Sequence, residues 1–87
     1  MTVDEEHEPP EQLSDAELEQ ILEELEAEEI EVSRLRRRLH DRLASFPNDV
    51  TQQQEEEISK RRRGLHARID ALRAERSRRR EEADPDA

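Results

Sequence analysis

Two short runs of this chain repeat the same four polar residue types at the same spacing. Glu29, Ser33, Arg36 and His40 form one set, and Glu55, Ser59, Arg62 and His66 the other; Asp70 extends the second by one step. On an α-helix, steps of 4, 3 and 4 residues at about 100° per residue keep each set within about 60° of arc. Each set is therefore one stripe. A carboxylate, a hydroxyl, a planar guanidinium and an imidazole in a row are suited to reading hydrogen-bonding edges and anions. They do not make a nucleophile–base pair, and a chain this small has no bulk for a pocket, so an enzyme is not expected. The arginine fork matches the O6/N7 edge of guanine or two phosphate oxygens, and a carboxylate accepts from guanine N1–H and N2–H₂.

Only helices could carry such stripes here. The chain has 87 residues, 46% of them charged, 30% hydrophobic and one aromatic, Phe46. That composition cannot fill a globule and is poor in sheet formers; it suits long helices or a coiled coil, with disorder as the rival. Met1 to Leu13 holds two prolines and no periodicity, and reads as a disordered acidic arm. Ser14 and Glu17 form a capping-box pattern that starts a first helix over about 14–45. Phe46-Pro47-Asn48 breaks it, giving a link over 46–50. Asp49 or Thr51 caps a second helix over about 51–82, and 83–87 reads as a disordered tail. The fold expected for 14–82 is all-α, an antiparallel two-helix coiled-coil hairpin with disordered acidic termini.

Hydrophobic spacing and charge give the register. Leu18, Leu25, Val32, Leu39 and Phe46 recur every seven residues, with Leu22 and Leu43 at companion positions. Ile58, Leu65 and Leu72, with Ile69, do the same in the second helix. Residues 1–33 hold 14 acidic side chains and no lysine or arginine, whereas 60–80 carries a net charge of +8. Folding about the Pro47–Asn48 link brings residues together when their numbers sum to about 95, setting acidic 17–31 against basic 64–78. Residues 29–46 align with 55–72 at eight identical positions of 18, so the stripes belong to an internal repeat offset by 26 residues. In this register Glu29 faces His66, Ser33 faces Arg62, Arg36 faces Ser59 and His40 faces Glu55. A local two-fold axis relates the copies. Such a site suits a symmetric guanine nucleotide, cyclic di-GMP.

The stripes also resemble a known family. The RsiG family of actinobacterial anti-sigma factors carries E-x3-S-x2-R-x3-Q-x3-D on each helix of an antiparallel coiled coil. Here the copies read Glu29-x3-Ser33-x2-Arg36-x3-His40-x3-Ala44 and Glu55-x3-Ser59-x2-Arg62-x3-His66-x3-Asp70. Histidine stands for glutamine in both, and Ala44 for aspartate in the first. The resemblance implies a regulator that binds stacked dimers of cyclic di-GMP and sequesters a sigma factor of the flagellar or sporulation class. Glu29, Ser33, Arg36, His40, Glu55, Ser59, Arg62, His66 and Asp70 would be its nucleotide contacts. Bound nucleotide would order the central seam by neutralising arginines that otherwise repel across it, and the more exposed apolar residues, Ile21 and Leu35, would serve the partner.

Each element alone has a plainer use. A glutamate and an arginine one turn apart form surface ion pairs, and a seam arginine fixes register. The rival reading is thus a purely structural or adaptor hairpin without nucleotide; a nucleic-acid binder using 60–80 is a further one, disfavoured by the acidic third. The sequence holds no cysteine, and the histidines lack metal-ligand spacing, so no metal is expected. No apolar run approaches membrane-spanning length, and Met1 leads into acidic residues; the expectation is a cytoplasmic protein with no membrane contact and no direct DNA binding. Self-association is left open.

Overall fold

The computed structural model describes residues 8–83. Two long helices, α1 (Asp15–Ser45) and α2 (Asp49–Ala83), pack against each other as an antiparallel hairpin. The cap of α1 is the expected one: Ser14 Oγ accepts from the Glu17 N–H, and Glu17 Oε1 accepts from the Ser14 N–H. The link is tighter than the sequence suggests, because a different residue caps α2. Asn48 Oδ1 accepts from the Thr51 N–H at 2.8 Å while its Nδ2 donates to the Phe46 carbonyl. One side chain thus closes α1 and opens α2.

The described part of the acidic arm departs from the disorder expected of it. Residues 1–7 and 84–87 lie outside the described residues, but Pro10–Gln12 form a 3-10 turn and Leu13 is buried at 7% exposure. The anchor is Arg79 on α2. It donates to the Pro10 and Leu13 carbonyls and to Asp15, while its Nε donates to Glu75. Glu75, itself only 7% exposed, is also held by Arg78. These donors, Arg78 first and Arg79 next, hold its carboxyl at about 2, against an ordinary 4.5.

Burial follows the heptads in most places. Leu13, Leu18, Leu22, Ile69 and Leu72 form a cluster at the open end, with Ile21 and Leu25 packed against it, and Val32, Leu39 and Leu65 are buried along the middle. Two expectations fail. Phe46 is 74% exposed, since α1 ends at Ser45 and the chain leaves the seam one residue too early. Ile21 and Leu35 are half-buried and not the exposed apolar residues; those are Ile30, Phe46 and Val50. Cross-helix ion pairs follow the charge segregation, with Arg76 on Glu19, Arg73 on Glu26 and Arg61 on Glu28. Each is solvent-exposed enough to contribute less than about 1 kcal/mol. Stability rests on the leucines.

Two outcomes follow. Leu22→Ala empties a site in the best-packed cluster and should cost about 3 kcal/mol in urea unfolding followed by circular dichroism, whereas Ile30→Ala should change it by less than about 0.5 kcal/mol. Glu75→Gln should destabilise the hairpin at pH 7. Because the folded carboxyl is depressed, that loss is fully present above about 4.5 and vanishes as pH falls toward about 2. A thermal-melt gap between variant and parent that persists unchanged at pH 2 would contradict the assignment.

Candidate functional site

The two stripes meet at mid-hairpin, and all four facings anticipated from the register are hydrogen bonds. Arg36 Nε donates to Ser59 Oγ and Arg62 Nε to Ser33 Oγ, both at 3.0 Å. His40 Nε2 lies 2.7 Å from Glu55 Oε1, and His66 Nε2 lies 3.1 Å from Glu29 Oε1. Within each helix the serine donates one turn back, Ser33 to Glu29 and Ser59 to Glu55, each at 2.6 Å.

A serine hydroxyl has one proton, and that proton fixes the direction of the whole layer. With Ser33 O–H spent on Glu29, its lone pairs are left for Arg62 N–H; the same holds for Ser59, Glu55 and Arg36. Each carboxylate then accepts from its own serine and from the histidine opposite, with the opposing arginine at 3.8 to 3.9 Å. The serine hydroxyl, followed by the facing histidine, lowers both Glu29 and Glu55 below the ordinary carboxylate value. Both are anionic at neutral pH, so each histidine Nε2 carries a proton and donates. Neither arginine lacks a local partner. Each is tied to a serine and sits beside a carboxylate.

What the layer presents outward is a pair of guanidinium groups. Arg36 and Arg62 use only Nε, and among the described residues their Nη groups make no protein hydrogen bond. Each side chain is 36% exposed. Their forks are free to take two acceptors from one planar or anionic group. The glutamates, at 14% and 22% exposure, can still accept through their second oxygens. Asp70 is exposed one turn beyond His66, and Ala44 takes the equivalent place beyond His40. Among the described residues, no three histidine, aspartate or glutamate side chains are grouped to hold a metal, and no helix is long and apolar enough to cross a membrane.

Residues 49–87, which span α2 and the tail, match the RsiG-like family. The match supports assignment of the chain to the RsiG family. It covers the second copy of the stripe, Glu55 to Asp70, and the family suggests a role of the anti-sigma factor type, with a sigma factor as partner. Comparison with curated proteins and with solved structures gives no significant match. The first copy lies outside the matched segment, and its place in the site rests on the repeat and on the hydrogen bonds that join it to α2. Sequence reasoning missed the residues around the stripe, Ile30, Ile69 and Arg73, which with Glu26, Glu29 and His66 line a surface hollow. Ile69 read as seam and Arg73 as generic basic charge.

A double-mutant cycle checks the geometry. Ser33→Ala and Arg62→Ala should couple by about 1 kcal/mol in unfolding free energy, a half-exposed charge-assisted hydrogen bond being worth about that much. Ser33→Ala with Arg36→Ala, which share no bond here, should be additive.

Proposed function

We propose that this protein is an anti-sigma factor that takes cyclic di-GMP on the Glu–Ser–Arg–His layer and, so loaded, sequesters a sigma factor of the flagellar or sporulation class. The observation that carries this reading is the two-fold layer itself. It offers two carboxylates and two outward guanidinium forks at equivalent positions, matching a ligand with two guanines and two phosphates. In this reading Arg36 and Arg62 take guanine O6/N7 edges or phosphate oxygens. Glu29 and Glu55 accept guanine N1–H and N2–H₂, and Ser33 and Ser59 hold both in place. His40 and His66 sit at the ends of the stripe and exchange their carboxylate contact for a ligand acceptor. Asp70 adds one acceptor on the second copy.

The layer costs little to use, because its groups are already positioned. Binding then spends little free energy on ordering side chains, the usual drain on affinity. The ligand joins a network and brings phosphates next to arginines. Its exposed face and the flanking helices together form the surface that the sigma factor meets, so partner binding requires the nucleotide. No chemistry on the ligand is involved, and the activity is regulatory, exerted in the cytoplasm where sigma factors act.

Calorimetric titration of the full chain tests this, alone and with a candidate sigma factor, using cyclic di-GMP against GTP and cyclic di-AMP. Saturable binding selective for cyclic di-GMP is expected, falling by at least about a hundredfold in Arg36→Ala or Arg62→Ala, since each substitution removes a bidentate contact. No heat in either setting would sink the nucleotide reading and favour a structural hairpin.

A further inference from the structure

The two halves of the site are related by the repeat, but their surroundings are not. One half comprises Glu29, Ser33, Arg62 and His66, and the other Glu55, Ser59, Arg36 and His40. Beside the first lies the hollow lined by Glu26, Glu29, Ile30, His66, Ile69 and Arg73. Applying the 26-residue offset gives the corresponding positions around the second half. Ile30 becomes Glu56, Arg73 becomes Pro47, Glu26 becomes Gln52, and Asp70 becomes Ala44.

Three of these replacements, those of Ile30, Arg73 and Asp70, remove something a purine nucleotide would use. Ile30 is 50% exposed, an apolar surface beside the carboxylate on which a base can lie; Glu56 instead places an exposed carboxylate there, which disfavours phosphate. Arg73 brings a guanidinium, now resting on Glu26 in an exposed ion pair that is cheap to break. Pro47 has no donor and lies past the end of α1. The cause is positional. The second half runs into the hairpin turn, whereas the first is backed by more of both helices.

We propose that the halves are unequal, and that the half around Glu29 and His66 is the primary nucleotide subsite, with Ile30 and Arg73 as additional contacts outside the repeated stripe. Ile30 supplies the surface for a purine face, and Arg73 swings from Glu26 to a phosphate oxygen. This rests on the reading of the layer as a cyclic di-GMP site and adds an order of engagement to it.

The test compares symmetry-related variants of the full chain by titration with cyclic di-GMP, with helicity monitored by circular dichroism. Glu29→Gln should weaken binding about tenfold more than Glu55→Gln. Arg73→Ala, and Ile30→Glu, which copies the residue of the weaker half, should each cost about tenfold without loss of helicity. Both latter sites are exposed, so folding is not at stake. Equal losses in Glu29→Gln and Glu55→Gln, or unchanged affinity in both Arg73→Ala and Ile30→Glu, would overturn the inequality while leaving the nucleotide site standing. Failure of the parent chain to bind, with or without a sigma factor, would instead remove the underlying reading and this inference with it.

Discussion

The height at which the two helices meet is set by two serine hydroxyls. A seam of leucines tolerates sliding by a whole heptad, because one apolar contact resembles the next. The layer at mid-hairpin does not. Ser33 Oγ stands between Glu29 and Arg62, and Ser59 Oγ between Glu55 and Arg36, each donating to one neighbour and accepting from the other. A slip of one heptad to a sum of 102 would set Arg36 against His66 and Arg62 against His40, and would place Ser33 against Ile69 and Ser59 against Leu43, breaking both serine–arginine bonds. That penalty is what turns a charged, two-helix chain into one structure.

The same layer explains where the apolar core is. Polar side chains occupy the companion seam positions at 29, 36, 55 and 62, so the close-packed cluster is displaced to the open end, around Leu18, Leu22, Ile69 and Leu72. That end would fray if the chain simply entered α1 from solvent. Arg79 prevents it by gripping the Pro10 and Leu13 carbonyls, which draws Leu13 over the cluster. Glu75 is buried because it orients Arg79 from one turn below. The stabilising end and the recognition layer are thus separate along the hairpin, and the layer is spared from having to supply stability.

Much of this was legible in the residues because period and pairing are one-dimensional properties. The capping box at Ser14, the antiparallel sense and all four facings of the layer follow from spacing and a register sum. Legibility fails where the partner is a backbone atom or a chain end. Nothing in the residue types announces that Arg79 will bind two carbonyls, and the prolines at 9 and 10 read as disorder although they shape a turn. Asn48 serves both helix ends, and a link counted as five residues shrinks to three. Phe46 kept its heptad position in sequence but lost it in space, because seam membership requires that the helix still exist there. The hollow beside His66 was invisible for a related reason: Ile30 and Arg73 are far apart in sequence and meet only once the register is fixed.

A tandem repeat folded into an antiparallel hairpin can be symmetric only locally. The dyad implied by the 26-residue offset passes near residue 35 of α1 and residue 60 of α2. The turn lies about thirteen residues away on one side, whereas helix continues for about twenty on the other. Residues within one or two turns of the dyad keep their symmetry, as the matched 3.0 Å bonds across the seam and 2.6 Å bonds within each helix show. Residues farther out cannot, since one copy has a helix beneath it and the other a proline. A ligand small enough to touch only the inner layer would meet two equal halves. One large enough to span a base and its phosphate reaches the outer positions, and there the chain's own topology distinguishes one end of the ligand from the other.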